Sequence, residues 1–471
     1  MKYTKIICTL GPASQTKTKL SRMLSAGMDI ARLNFSHGTL AHHRLLIRNV
    51  RAAAAKLGKS IAIIQDLQGP RVRLGVLPKA GVLVEAGQEV ILAYNKKFHP
   101  KILHILPIDS PFYRDVRPGH RIFLQDGLIQ MEVTHVRNTL CYAHVKKGGT
   151  LFSHKGLNAP DTFFSFPSFT SKDKKDLLFG LRQQLEFVAL SFVQRSKDVD
   201  VVRRFCKLHG RRSRPHIIVK IERPQAVEYF DEILDVCDAV MIARGDLGIE
   251  IPLQDVPIVQ KDLITRALRV GKPTIIATHM LESMIEKPRP TRAEVSDIAS
   301  AVVDHADAVM LSGETANGKY PVESVRMMHD VIIRTEASRY NDLPLDFFTD
   351  QAKNLGDVNF RSQLDSVLQK LSSQKPRALF VFTPDGQLAR MIARYRPEIP
   401  LYAVTHSRDV YHTLFLSWAT IPILAPNQVF TRQRSFVLRM VKQRKLLHKG
   451  SNVTFIFLNI EGNLAFEMLQ V

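Results

Sequence analysis

The 471-residue sequence predicts an α/β fold built on a TIM (β/α)8 barrel, with an inserted β-barrel lid domain and a C-terminal α/β domain. Three observations predict it. Short apolar runs alternate with helical patterns from the start of the chain, the rhythm of a parallel sheet with helical crossovers. That rhythm stops between residues 71 and 168, where short strands bounded by Gly and Pro turns take over. It then resumes and continues to the end of the chain.

Taken in order, a strand at 5–10 leads to a helix at 14–26, a strand at 29–33, an amphipathic helix at 39–57 and a strand at 60–67. The insertion is punctuated at 78–81, at Arg117-Pro118-Gly119 and at Gly148-Gly149. After it come a helix at 171–184, a strand at 187–192, a helix at 197–209, a strand at 216–221 and a short helix at 225–229. A strand at 239–243, a helix at 255–270 and a strand at 273–278 follow. Helices at 280–286 and 293–303, a strand at 308–311 and a helix at 321–338 complete the set. Three strands before the insertion and five after it make eight βα units, the size of a TIM barrel. A doubly wound open sheet is the alternative, since periodicity does not show closure. A polar stretch at 340–357 marks the next boundary. Beyond it lie strands at 378–382, 401–405, 421–424 and 453–458, helices at 386–395 and 409–418, and a basic helix from Ser435. The expected domains are 1–70 with 169–345, the insertion 71–168, and 346–471.

Hydrophobic residues make up 45% and charged residues 23%, which excludes disordered, collagen-like and disulfide-dense classes. Cys8, Cys141, Cys206 and Cys237 are scattered without metal-type spacing, as in reduced, buried thiols. No apolar run of about 18 residues occurs and the N-terminus has no secretory core, so a cytoplasmic chain without a membrane span is expected. The net charge of +22 attracts anions, whether nucleic acid, phosphorylated metabolites or acidic proteins; a basic proteome or cytoplasm is the favoured explanation.

A TIM barrel puts its chemistry at the C-terminal strand ends. There the sequence has Arg32, Asn34, Ser36 and His37 (second strand), Asp66 (third), and Lys220 and Glu222 (fifth). Arg244, Gly245 and Asp246 follow the sixth strand, Thr278 and His279 the seventh, Ser312 and Glu314 the eighth. Glu222 and Asp246 are two carboxylates on adjacent strands, a pair suited to Mg²⁺ with waters and substrate oxygens completing six ligands. Lys220 and Glu222 project the same way from extended chain. Arg32 offers a planar fork for phosphate or carboxylate. Gly245 and Asp246 open a turn toward a helix, where amides bind anions. Cations and Mg²⁺ around clustered oxygens are the inventory of phosphoryl transfer. Each feature alone reads as a salt bridge or a helix cap; their shared position is the signal.

These residues lie in stretches that resemble the pyruvate kinases: TKIICTLGPAS from Thr4, RLNFSHG from Arg32, IIVKIE from Ile217, ARGDLGIEIP from Ala243, MLESMIEKPRPTRAE from Met280 and LSGETANGKYP from Leu311. The resemblance covers most of residues 1–340. It implies phosphoryl transfer from phosphoenolpyruvate to ADP, giving pyruvate and ATP in the last step of glycolysis. It implies a barrel with a lid and a C-terminal regulatory and oligomerisation domain, in a homotetramer. Glu222 and Asp246 would hold one Mg²⁺, a second would arrive with the nucleotide, and Mn²⁺ is expected to substitute. Lys220 would offset charge on the phosphoryl group and the enolate, and Arg32 would grip the phosphate. Gly245, Asp246 and Thr278 would position the carboxylate. Thr278, Ser312 and Glu314 would serve proton delivery. Asn34, Phe35, Ser36, His37, Arg73 and Lys155 would face the nucleotide, and the lid would exclude water.

Three departures from the family pattern matter. K⁺ would be held by Asn34, Ser36, Asp66 and Leu67, but the segment Asp66-Leu67-Gln68-Gly69-Pro70-Arg71 carries Arg where K⁺-dependent members have Glu. A guanidinium there supplies the cation's charge, so no K⁺ requirement is expected. Gln125 and His279 stand at other variable positions. The sugar-phosphate loop reads Thr383-Pro384-Asp385-Gly386-Gln387-Leu388, with hydroxyls lost and a carboxylate gained, so activation by fructose 1,6-bisphosphate is not expected. Residues 432–449 are basic and suggest a solvated or interface helix face, or another anion site. Competing functions are a Mg²⁺-dependent enolate lyase or mutase, which would lack Arg73 and Lys155, and a basic nucleic-acid scaffold, for which no aromatic platform or motif appears. The expected partners are therefore the two small substrates and further copies of the chain.

Overall fold

The computed structural model describes residues 2–471 except 95, 97–104, 211–213, 342–362, 365, 369–370, 372–373, 428–429, 444–446, 449 and 460–462. Eight parallel strands close into a barrel: Lys5–Thr9, Ile30–Asn34, Ala62–Asp66, Phe187–Leu190, His216–Ile221, Ala239–Ala243, Thr274–Ala277 and Ala308–Leu311. Each lies beside its neighbours in sequence, and the first pairs with the last in the register Lys5↔Ala308. The open-sheet alternative is thereby excluded. The strands are apolar on both faces because helices cover the outside and side chains fill the inside. Ile7, Ile30, Ile64, Phe187, Met241 and Met310 pack the interior, joined by Leu416 from the C-terminal region.

The helices start where hydroxyl residues cap them. Thr16, Thr39, Thr170 and Thr291 each accept a backbone amide at an N-terminus. Asp173 and Glu294 reciprocate in capping boxes. Two differences from the sequence reading stand out. The helix expected at 280–286 is only a 3₁₀ turn, Glu282–Ile285. A helix at Phe230–Val236 follows the short Pro224–Glu228 helix after a joint at Tyr229.

The insertion forms a six-stranded sheet in the order Leu157–Asn158, Arg121–Leu124, Ile129–Arg137, Leu140–Lys147, Glu89–Tyr94, Ile105–Ile108. A two-stranded sheet pairs Gly149–Leu151 with Val82–Val84. Both cover one core that includes Val84, Leu92, Phe112 and Ile122. Residues 72–75 bridge the two outer strands of the larger sheet, Leu74 to Ile108 on one side and Arg73 to Gly156 on the other, and so close it into the expected barrel.

The C-terminal region is a five-stranded sheet, Thr420–Leu424, Leu401–Thr405, Ala378–Phe382 and Asn452–Leu458 in parallel, then Leu464–Gln470 antiparallel. The last strand was not foreseen, because LAFEMLQ has no β-branched residue. The basic helix spans Phe430–Gln443, beginning before Ser435, and buries Val437, Met440 and Val441 against the sheet. The expected boundary at 346 and much of the polar stretch lie outside the described residues.

The C-terminal region caps the N-terminal end of the barrel. Arg396 pairs with Asp307 at 3.1 and 3.2 Å and donates to the His305 carbonyl at 2.5 Å. Asp307 also accepts the Trp418 amide at 3.0 Å, and Lys5 Nζ donates to the Thr420 carbonyl at 2.7 Å. The opposite end, where the strands finish, stays free for chemistry.

Candidate active site

The fifth strand delivers Lys220 and Glu222 to the rim from one face, as extended backbone requires. Lys220 Nζ lies 2.7 Å from Glu222 Oε1 and 3.5 Å from Asp66 Oδ1, and donates to Ser191 Oγ at 2.8 Å. Burial disfavours the ammonium, but Asp66 and Glu222 outweigh it and raise the Lys220 pKa. Burial likewise pushes the Asp66 carboxyl up, and Lys220 with Arg32 overcomes this to hold it below its ordinary value. Arg32 Nε donates to Asp66 Oδ2 at 2.7 Å and its Nη1 to Thr9 Oγ1 at 2.8 Å. The guanidinium is thus fixed on the floor of the site.

Asp246 sits in the first turn of the helix Arg244–Glu250, on the neighbouring strand's extension. Gly245 donates its amide to Thr278 Oγ1 at 2.7 Å, and Thr278 donates on to the Ala277 carbonyl at 2.6 Å. Thr278 (φ 70°) and His279 (φ 56°) are both left-handed, a strained turn for two residues with side chains. Arg244 holds that turn. Its Nη2 donates to the Thr278 carbonyl at 2.9 Å, while Asp297 grips both terminal nitrogens at 2.6 and 2.7 Å. Glu314 steadies the far side: its oxygens accept the amides of Leu281 at 3.0 Å and Ser312 at 2.6 Å. Burial raises its pKa. Its carboxylate therefore organises backbone beside Thr278 and Ser312.

On the insertion side, Arg71 Nη2 stands 3.7 Å from both Asp246 and Asp126, linking the barrel rim to the insertion's tip. Arg73 forms a bridge with Gly156 and donates to the His154 carbonyl at 3.1 Å. Lys155 is exposed beside it. Asn34 Oδ1 accepts the Ser36 amide at 3.0 Å, and His37 is exposed. Phe35 turns its ring away, stacked 4.0 Å from His43 in the outer layer. Leu67 uses its carbonyl to accept Ser191 Oγ at 2.8 Å. The barrel residues named from sequence thus gather at the strand ends, apart from the Phe35 ring, while Arg73 and Lys155 belong to the insertion. Thr9, Ser191 and Asp297 were not foreseen, since no local pattern marks a side chain whose partner is far along the chain.

The donor set fits a divalent cation. Glu222 Oε1 is buried without a well-aligned hydrogen bond. Burial pushes its carboxyl up to about 7, with Asp246 adding to the rise and Lys220 opposing it. A cation between the two carboxylates removes the cost that raises it. No cage of three or more His, Cys, Asp or Glu side chains occurs among the described residues.

In the C-terminal region, Asp385 accepts the Gln387 amide at 2.9 Å at the start of the helix Gln387–Ala393. The carboxylate sits where an anion would otherwise meet the helix. Arg434 pairs with Glu467 at 2.5 Å. No helix among the described residues is long and apolar enough to cross a membrane.

The chain is similar to known proteins over most of its length. Residues 1–325 match the family described as pyruvate kinase, barrel domain, and residues 364–462 match pyruvate kinase, alpha/beta domain. A pyruvate kinase of Bacillus licheniformis is 40% identical over 433 residues, 92% of this chain and 73% of that protein. Pyruvate kinase 2 of Synechocystis is 39% identical over 465 residues, 98% of this chain and 77% of that protein. The crystal structure of a pyruvate kinase from Cryptosporidium parvum superposes with a TM-score of 0.92 at 31% identity, covering 100% of this chain and 96% of that one. With two family matches in chain order and one fold throughout, the chain belongs to the pyruvate kinases, the Mg²⁺-dependent phosphotransferases of glycolysis that pass phosphate from phosphoenolpyruvate to ADP.

Proposed function

We propose that the rim around Lys220 carries out this reaction with the residue roles expected from the sequence. The carrying observation is the Lys220 ammonium placed between Glu222 at 2.7 Å and Asp66 at 3.5 Å. Glu222 and Asp246 would hold one Mg²⁺, which when bound withdraws charge from the enolate and phosphoryl oxygens. The second would come with ADP. Arg32 and Lys220 bind the phosphoryl oxygens, and the Gly245 amide with Thr278 orients the substrate carboxylate. As phosphorus leaves the enolate oxygen for ADP, Lys220 balances the oxygen's growing charge. The enolate carbon then takes a proton through Thr278 and Ser312, which Glu314 keeps in place. Arg73, Lys155 and the backbone of 34–37 face the nucleotide, and the insertion keeps water out.

The same reading includes four finer points. K⁺ is not required: Arg71 brings a fixed charge near the site, and the Asn34 and Leu67 oxygens already accept internal hydrogen bonds. Fructose 1,6-bisphosphate does not activate, because Asp385 occupies the helix start. The chain forms a homotetramer, as the family resemblance implies, and we assign Leu253 and Ile258, 74% and 69% exposed, to one of its contacts. It works in the cytoplasm on small molecules, without nucleic acid.

The test is ATP formation from phosphoenolpyruvate and ADP with Mg²⁺, with and without K⁺. Rates within about two-fold are expected when a large organic cation replaces K⁺. A many-fold loss would remove the role given to Arg71. Lys220→Met is expected to lower kcat by roughly 10³-fold or more.

A further inference from the structure

The insertion re-enters the barrel at residues 158–164, and two buried charges meet it there. Arg223, 3% exposed, donates from Nη2 to the carbonyls of Ala159 at 3.0 Å and Thr162 at 2.9 Å. Glu250, 4% exposed, accepts Asn158 Nδ2 at 2.7 Å, and its other oxygen stands 3.8 Å from Arg223. Gln225 adds a bond to the Pro160 carbonyl at 3.0 Å. Burying an ion pair is unfavourable unless its hydrogen bonds are well used. Here Arg223 spends its bonds on the backbone of one connection and Glu250 on the Asn158 side chain of the same connection. The placement of the pair in the chain is the key. Arg223 directly follows Glu222, and Glu250 ends the helix whose first turn holds Asp246.

We infer that Arg223 and Glu250 are positioning residues: they clamp the return hinge of the lid to the two elements that carry the metal carboxylates, and so set the lid's angle over the nucleotide. Arginine suits the task because its planar guanidinium holds its donors in fixed directions: Nη2 meets the two carbonyls while Nε donates to Gln225 Oε1 at 3.2 Å. The inference rests on the reading that Arg73 and Lys155 face ADP.

The experiment compares full-length Arg223→Lys, Glu250→Gln and Gln225→Ala with the parent. Hydrogen exchange is followed at residues 157–164, and KM is measured for each substrate. Faster exchange is expected, with the KM for ADP raised about ten-fold and that for phosphoenolpyruvate changed less than about two-fold. Arg223→Lys keeps the charge and is not expected to rescue. Unchanged exchange, or an equal rise in both KM values, would overturn the clamp. Arg73→Ala separates the two readings. If it raises the KM for ADP while the clamp variants do not, the clamp alone falls. If it does not, the nucleotide-facing reading falls, and exchange alone decides the clamp. Should Arg223→Lys not fold, Gln225→Ala carries the same measurements with a milder change.

Discussion

Thr278 is held in its left-handed turn by Arg244, and Arg244 is held in turn by Asp297. A two-point arginine–carboxylate contact fixes direction as well as distance. Asp297→Asn keeps the shape and removes the charge. Losing a charged hydrogen bond costs about 1.5–3 kcal/mol, which corresponds to a kcat lower by roughly ten- to a hundred-fold if the turn must be exact in the transition state. Steady-state kinetics on the folded variant check this, and an unchanged kcat would show that Thr278 holds its place unaided. The sequence displayed Arg244 and Thr278 as strand-end residues but not their dependence on Asp297, which lies 53 residues from Arg244. Glu314 was legible as a site residue for the same positional reason. Its use of both oxygens on backbone amides was not, because only the fold brings Leu281 beside it.

At the scale of elements, legibility followed burial. The strands His216–Ile221, Ala239–Ala243 and Ala308–Leu311 coincide with the ranges read from apolar runs, since a strand buried on both faces has no polar positions to blur its ends. Leu464–Gln470 escaped because it is half-buried and pairs with its neighbour by tertiary context. The short segment between the helix Arg292–Val303 and the strand Ala308–Leu311 gives a pH prediction. Burial lowers the His305 pKa to about 4, and Arg396 and Lys261 reinforce this against the opposing charge of Asp307. Unfolded, the ring titrates near 6.5. The unfolded chain therefore binds the extra proton first, so stability is complete above about 6.5 and declines as pH falls toward 4. The loss amounts to at most about 3 kcal/mol. His305→Asn, which tolerates the φ of 65°, is expected to flatten that part of the curve of unfolding midpoint against pH. An equally steep curve in the variant would assign the effect to other groups.

For the whole molecule, the net charge of +22 sets solubility and attraction for anionic substrates, and the fold does not depend on it. Assembly is a matter of apolar surface. Leu253→Glu with Ile258→Glu is expected to remove one association step, read as a smaller mass by light scattering, with the monomer still folded. An unchanged mass would place the interface elsewhere. The number of barrel strands and the place of the insertion were readable because each βα unit repeats one pattern. The way the C-terminal region covers the barrel's other end was not, because Arg396, Trp418 and Leu416 carry no local sign of their partners.

Pairing of Lys5 with Ala308 has a consequence during synthesis. The first strand can zip to the second almost at once, but its other edge must wait until some 300 further residues have left the ribosome. At 5–20 residues per second that delay is roughly 15–60 s. For that time an apolar strand edge lies open in the nascent chain, vulnerable to pairing with a stranger. Until the eighth strand arrives the barrel is open, and the enzyme has no complete site.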